Sequence, residues 1–161
     1  MTSSRRFDSG FTLVELLIVV IILGILAAVV IPQFSGTAMQ AKESALRADL
    51  NTVRQAISLY RVQHNEVYPG QANWAEFVSQ LTQTTTAGGA LALPAAGGKY
   101  GPYLRTAFPT NQIAGNPLGL VVATMPAGPS GAEGWIYCNT DGELRANTPG
   151  TGPSGELYFD L

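Results

Sequence analysis

Glu15 is the residue whose type and position raise the clearest chemical question. It lies in the apolar stretch of residues 11–31, where Thr12 and Gly24 are the other interruptions. An ionised carboxylate inside a membrane span costs a few kcal/mol, so such residues are usually paired and functional. We therefore expect Glu15 to meet a positively charged partner.

The other reactive residue types are sparse. The chain has one histidine, His64, and one cysteine, Cys138, so it can form no intramolecular disulfide. The sequence shows no nucleophile paired with a base, no metal-ligand cluster and no phosphate-binding glycine loop. We predict no catalytic residue, no metal site and no enzymatic activity. We interpret His64 as a capping or surface residue and Cys138 as a small strand residue rather than a reactive thiol.

The stretch of residues 11–31 is long enough to cross a membrane, because a helix of that length rises about 30 Å. A cleavable secretory signal is the alternative, but the small residues 26–28 are followed by more apolar residues instead of a cleavage site. Arg5 and Arg6 precede the stretch, which predicts a single-pass membrane protein with a cytoplasmic N-terminus. The net charge of −2 favours no nucleic-acid partner.

An amphipathic helix is predicted to continue from the membrane span to about residue 64. Apolar residues recur at spacings of four and three, forming a stripe for a globular head to pack on: Leu46, Leu50, Val53, Ile57 and Tyr60. Arg47, Arg54 and Arg61 form a basic line beside it. We favour a solvated face for this line over a bridge to neighbouring subunits. Pro32 should bend the helix, because it lacks a backbone donor.

The remainder, residues 65–161, is predicted to be a head with one short helix and a small sheet. Asn73 and Glu76 have the spacing of a capping box, and residues 84–98 indicate a surface loop. Strands are expected at residues 118–125, in a hairpin over 134–147 with its turn at 139–142, and at 156–161. Trp74 and Trp135 could line a ligand site, although core packing is favoured.

The residues GFTLVELLIVVIILGILAAVVIP closely resemble the N-terminal signature of type IV prepilins and of type II secretion pseudopilins. The resemblance implies that a prepilin peptidase removes the leader, residues 1–10, by cutting between Gly10 and Phe11. Phe11 would then be N-methylated. Glu15 would pair with the Phe11 amine of a neighbouring subunit during assembly, or alternatively with the amine of its own chain. Gly24 and Pro32 would bound a helical segment that unwinds in the filament, unless Pro32 marks only a kink.

The stretch YGPYLRTAFPTNQIAGNP, together with the missing cysteine pair, looks like the head of a major pseudopilin. The implied fold class is α+β and type IV pilin-like: a long N-terminal helix, membrane-spanning over 11–31 and amphipathic over 32–64, packed on a head with an antiparallel sheet. Major pseudopilins hold a calcium ion, but residues 110–117 contain no carboxylate, so we predict no cofactor and assign no ligand. We assign Asp141 to turn chemistry.

The implied function is that of a structural subunit which polymerises into a pseudopilus and drives protein export across the outer membrane. The implied partners are copies of itself, other pilins or pseudopilins, prepilin peptidase and an inner-membrane assembly platform. One alternative is a type IV pilus pilin for adhesion, motility or DNA uptake. Another, of a different class, is a membrane-anchored binding module.

Overall fold

The structure is a computed structural model that describes residues 11–161, without the side chains of residues 31–35. The predicted leader, including Gly10, lies outside the described residues. The chain divides into two units, with the boundary between Ala38 and Met39. The α+β fold class is confirmed, since a long apolar N-terminal helix is followed by a short helix and a small sheet. The domain limits proposed from the sequence stay a prediction.

Helix α1 spans Leu13–Gln63 and has 51 residues. The predicted apolar stripe is confirmed in the second unit, where its five residues are at most 2% exposed. The helix ends where Asn65 and Glu66 adopt positive φ angles of 55° and 64°. The Glu66 N–H then donates to the carbonyl of Arg61, which satisfies one of the last helical acceptors.

Helix α2 spans Trp74–Thr82, and its start confirms the predicted capping box. The side chain of Asn73 accepts a hydrogen bond from the Glu76 N–H at 2.9 Å. The Glu76 carboxylate accepts from the N–H of Ala72 at 2.7 Å, one residue before the N-cap N–H that is the usual donor. Phe77 and Leu81 of this helix are fully buried.

Three strands form the sheet: β1 at Gly119–Val122, β2 at Trp135–Cys138 and β3 at Leu144–Ala146, in that spatial order. The predicted hairpin is confirmed, since β2 and β3 are antiparallel and Gly142 in their connection has a φ of +79°. The prediction of a wholly antiparallel sheet is wrong, because β1 and β2 are parallel. Residues 123–134 connect them, and a connection of about a dozen residues is what a parallel crossover requires.

The strand expected at residues 156–161 is also wrong. The structure has a short 3-10 helix at Tyr158–Asp160, and only an isolated bridge joins Thr151 to Leu157. Tyr158 and Phe159 are adjacent in sequence and both are buried. A strand would direct consecutive side chains to opposite faces, whereas a tight helical turn lets both reach the core.

Aromatic residues make up much of the core of the second unit. The ring of Phe77 lies 4.1 Å from that of Tyr137 and 4.9 Å from that of Trp74. Trp135 is fully buried and its indole N–H donates to the carbonyl of Pro109 at 3.1 Å. Both tryptophans therefore pack in the core, as favoured from the sequence, and Cys138 is buried in β2.

Candidate assembly site

The candidate assembly site lies at the start of α1, where Glu15 caps its own helix. The N–H of Thr12 donates to Oε2 of Glu15 at 2.9 Å, and the hydroxyl of Thr12 donates to the same oxygen at 2.8 Å. In return, the Glu15 N–H donates to the hydroxyl oxygen of Thr12 at 3.2 Å. These reciprocal bonds form a capping box, and the carboxylate also lies at the positive end of the helix dipole.

This geometry leaves one carboxylate oxygen of Glu15 available. Oε2 accepts both bonds from Thr12, whereas Oε1 accepts none from the residues that the structure describes. Glu15 can therefore remain capped within its own chain while Oε1 meets a cation from elsewhere. Sequence reasoning missed the role of Thr12, although threonine three residues before glutamate, just ahead of an apolar run, is the pattern of a capping box.

The side chains that follow Glu15 form a continuous apolar surface. Within Leu13–Val30 none of the residues is buried, and this part of α1 is long and apolar enough to cross a membrane by length and composition. Exposed fractions of the large hydrophobic side chains run from 43% at Val30 to 81% at Leu13. A soluble monomer rarely exposes so much contiguous apolar surface, so this surface requires a membrane or other apolar helices around it.

Gly24 lies within that surface. A Cβ added there would meet nothing within 4 Å, so packing inside the chain does not require a glycine. Gly24 and Pro32 both lie within α1, which is helical throughout Leu13–Gln63. The side chain of Pro32 is not described. The proposed flexibility of residues 24–32 stays a prediction.

The basic line on α1 differs from its prediction as a solvated face. Arg47 pairs with Glu43 at 2.9 Å and also with Glu156 near the C-terminus. Arg54 donates to the carbonyl of Leu144 in β3 from Nε at 3.1 Å and from Nη2 at 2.8 Å.

The third arginine of the line also contacts the head. Arg61 pairs with Glu66 and donates to the hydroxyl of Tyr68 at 3.2 Å. The line borders the buried stripe, so polar groups at the rim of the head reach all three guanidinium groups. The side chains of Arg47 and Arg61 are still 40% and 43% exposed, so the prediction of a solvated face holds in part and misses the contacts with the head.

Glu43 holds the C-terminal loop against α1. Although charged, it is only 5% exposed, and its Oε2 accepts a bond from the Ser154 N–H at 3.2 Å. Hydrogen bonds from Ser154 and then from Arg47 lower the pKa of this carboxyl group. A Cβ on Gly152 would lie 2.3 Å from the same oxygen, so only glycine permits this approach. We call Glu43, Arg47, Gly152, Ser154 and Glu156 the C-terminal clasp.

His64 is a buried residue that bonds a carbonyl of the last turn of α1, so of its two predicted roles the capping role is confirmed and the surface role is wrong. It is 3% exposed, and its ring stacks on Tyr60 at 3.8 Å between centroids. Nδ1 lies 2.8 Å from the carbonyl of Tyr60, and Nε2 lies 2.9 Å from the hydroxyl of Thr85. Because the carbonyl can only accept, Nδ1 carries the proton in this arrangement and Nε2 can accept from Thr85. A lone histidine at the end of a helix gives no sequence signal for this environment.

The loop of residues 110–117 is held by an asparagine side chain. The Asn111 carbonyl oxygen Oδ1 accepts from the N–H groups of Ile113 and Ala114 at 2.9 and 3.0 Å, and its amide donates to the carbonyl of Gly134 at 2.6 Å. The loop contains no carboxylate and this oxygen is already engaged, so no calcium ligand is assigned here, and the absence of a cofactor stays a prediction. Within residues 11–161 no group of three or more His, Cys, Asp or Glu side chains could hold a metal.

Asp141 serves in the β2–β3 turn, where it accepts from the N–H of Glu143 at 2.9 Å. This confirms its assignment to turn chemistry.

A comparison with known protein families identifies a motif that includes the start of α1. The family described as "Prokaryotic N-terminal methylation motif" matches residues 5–31. The chain carries a prepilin-type methylation motif. This motif includes Gly10, Phe11, Thr12 and Glu15, so the capping box lies within it. The motif, together with the one apolar helix found among residues 11–161, indicates a membrane-anchored single-pass protein.

Relatives that share the motif are pseudopilins and a pilin. The chain is 45% identical over 65 residues to the type II secretion system core protein G of Pseudomonas aeruginosa, across 40% of this chain and 45% of that protein. It is 39% identical over 64 residues to the protein of the same name from Vibrio cholerae, across 40% and 43%. It is also 40% identical over 67 residues to the type IV wide pilus major component PilA4 of Thermus thermophilus, across 42% and 51%.

The chain spans about half the length of these relatives. No solved structure gives a significant match to the chain.

Proposed function

We propose that this chain is a structural subunit that polymerises into the pseudopilus of a type II secretion system and so drives protein export across the outer membrane. The observation that carries the proposal is the capped carboxylate of Glu15 near the start of the apolar segment Leu13–Val30, in which no residue is buried. Such a surface is stable in a membrane before assembly and among the same helices of other subunits afterwards. The similarity to core protein G supports the choice of machine.

Processing prepares the site for assembly. Prepilin peptidase cuts between Gly10 and Phe11, and the exposed amine of Phe11 is methylated. Before the cut, Arg5 and Arg6 of the leader hold the N-terminal end in the cytoplasm during membrane insertion, so the head faces the periplasm. The inner-membrane assembly platform then adds the subunit to a filament of its own copies, together with other pilins or pseudopilins.

The amine of Phe11 explains why Glu15 is retained in an apolar environment. Within one chain the carboxylate is capped by Thr12 through Oε2, and Oε1 remains for the amine of a neighbouring subunit. Opposite charges attract strongly where water is excluded, and either charge left alone there is destabilising. Pairing between subunits therefore sets the register of incoming helices.

A type IV pilus subunit is the second candidate, favoured by the similarity to the wide pilus component PilA4. Both machines would use the same segment of α1. The genes beside this one separate the candidates: a secretion secretin set supports the pseudopilus, and a retraction motor supports the pilus.

Mass spectrometry and electron microscopy of the full chain, expressed with an active prepilin peptidase and assembly platform, test the proposal. We expect a mature chain that begins at Phe11 with one added methyl group, and filaments in the sheared fraction. Glu15→Ala should be processed normally and yield few filaments, whereas Glu133→Ala in the head serves as a matched control. An unprocessed chain, or Glu15→Ala filaments at the normal yield, would contradict the proposal.

A further inference from the structure

Asp49 differs from every other acidic side chain in the described part of the structure, because it has no hydrogen-bond or ion-pair partner there. The others contact an N–H, an amide or an arginine: Glu15, Glu43, Glu66, Glu76, Glu133, Asp141, Glu143, Glu156 and Asp160. Asp49 is partly buried, and this burial raises the pKa of its carboxyl group. A partly dehydrated carboxylate without a partner is costly, and the same subunit does not compensate it.

Arg54 is the arginine of α1 that, like Asp49, has no ion-pair partner among the described residues. It lines a pocket of about 140 Å³ together with Arg47, Leu50, Asn51 and Leu161. No carboxylate lies within ion-pair distance of Arg54 among residues 11–161, and its hydrogen bonds go to a neutral carbonyl. Arg47 in the same pocket is already matched by two glutamates. Arg54 therefore forms no ion pair among the described residues, and the charge of Glu143 acts on it only from beyond ion-pair distance.

The two unmatched charges lie on α1 but face different directions. They are five residues apart, which on a helix is a rotation of about 140° and a rise of about 7.5 Å. The buried stripe of α1 lies between them, so Asp49 cannot reach Arg54 of its own subunit. A second subunit with a parallel α1, shifted by about 7.5 Å along the axis, brings its Asp49 level with this pocket.

We propose that Asp49 of one subunit enters the pocket at Arg54 of the next subunit in the polymer. This inference rests on the proposed function, because it needs copies of the chain side by side. The contact uses Asp49 of one subunit and the Arg54 pocket of the next. The first subunit therefore keeps its pocket free for a further subunit, and the second keeps its Asp49 free. Such heterologous contacts generate an open polymer rather than a closed dimer. The contact adds a second electrostatic pairing, on the C-terminal half of α1, to the pairing at Glu15.

Charge reversal tests the contact in the full chain, assembled as above. Asp49→Arg should lower the filament yield by about tenfold or more, because it places like charges together. Arg54→Asp should do the same, and the double variant should recover most of the yield, since the pair is restored with exchanged signs. Arg105→Glu is the matched control, because Arg105 is exposed and has no partner among the described residues. The thermal midpoint of each variant in detergent shows whether it is folded.

Cross-linking provides a second measurement that keeps both charges in place. Ala45 lies one helical turn before Asp49, Asn51 lines the pocket, and both are exposed. We expect Ala45→Cys/Asn51→Cys filaments treated with a short bis-maleimide to give a ladder of several linked subunits. Each single cysteine variant, and the wild-type chain with its buried Cys138, should stay unlinked.

The outcomes separate this inference from the proposed function. Wild-type filaments together with full yield in both reversals, or with no ladder, would overturn the inference and leave the proposed function intact. If the wild-type chain forms no filaments, both fail. If Arg54→Asp proves unfolded after losing its bonds to Leu144, Asp49→Arg and the ladder decide the question.

Discussion

Thr12 and Glu15 show how two side chains satisfy opposite requirements of one site. As a membrane-inserted monomer, the chain needs Glu15 satisfied at the end of α1, and the two bonds from Thr12 to Oε2 provide this. In the proposed assembly, the same carboxylate meets the amine of a neighbouring subunit, and Oε1 accepts no bond from the described residues. We infer that the hydroxyl of Thr12 positions Glu15 for the incoming amine.

Thr12→Val tests this positioning role. The variant keeps the backbone bond to Oε2 and loses the hydroxyl, and loss of an N-cap hydroxyl typically costs about 1 kcal/mol of helix stability. We expect normal cleavage and methylation by mass spectrometry, with a reduced filament yield. Thr12→Ser keeps the hydroxyl and should assemble like the wild type. Equal yields for both variants would show that the hydroxyl has no role in positioning.

At the scale of elements, the C-terminal clasp connects α1 with residues more than a hundred positions later in the chain. Hydrogen bonds from Ser154 and Arg47 lower the pKa of the Glu43 carboxyl group below its ordinary value of 4.5. A depressed pKa means that the folded state binds the proton less readily than the unfolded state. Its stabilising contribution is therefore fully present above pH 4.5 and is lost as the pH falls through the folded value.

Acid unfolding should reveal the clasp. We expect the thermal midpoint of the full chain in detergent to fall below pH 4.5 more steeply in the wild type than in Glu43→Gln, which cannot titrate at this position. At neutral pH we expect the Glu43→Gln variant to have a lower thermal midpoint than the wild type, because its amide binds Arg47 less strongly than a carboxylate does. Parallel pH profiles would contradict this assignment.

At the scale of the whole molecule, the two units carry different tasks. The first unit presents an apolar helical segment, Leu13–Val30, in which no residue is buried, and the second contains the aromatic core. A defect in the core should therefore reduce the stability of the second unit without preventing the peptidase from reaching Gly10 and Phe11.

Phe77→Ala tests this separation. Phe77 is fully buried among Trp74, Phe108 and Tyr137, and such truncations cost about 3–5 kcal/mol. We expect a lower thermal midpoint and lower resistance of the head to protease, with unchanged cleavage and methylation of the chain. A Phe77→Leu variant should lose less stability, because it leaves a smaller cavity.

Periodicity and local motifs were sufficient to predict the helices. The spacing of Leu46, Leu50 and Val53 predicted the buried face of α1, and the pair Asn73 and Glu76 predicted the start of α2. Both signals come from residues within one or two helical turns, so they can be read without knowing the rest of the fold. The β2–β3 hairpin was predicted for the same reason, since its turn residues are contiguous.

Features that depend on distant residues were not predictable in this way. The direction of β1, the burial of His64 and the partners of the arginine line all depend on where the head meets α1. Sequence spacing contains no information about a carbonyl such as that of Leu144, which lies 90 positions from Arg54. The prediction of a strand at residues 156–161 is wrong because the sequence does not show that the adjacent Tyr158 and Phe159 both face the core.

The sequence by itself determined the membrane-spanning segment, the methylation motif and the position of Glu15, because each follows from residue types along a contiguous stretch of chain. Only the tertiary structure decided that, among the described residues, Arg54 has no ion-pair partner at its pocket and Asp49 has no polar partner. Charge compensation is a property of distances in space, and these distances are set when the head packs on the helix.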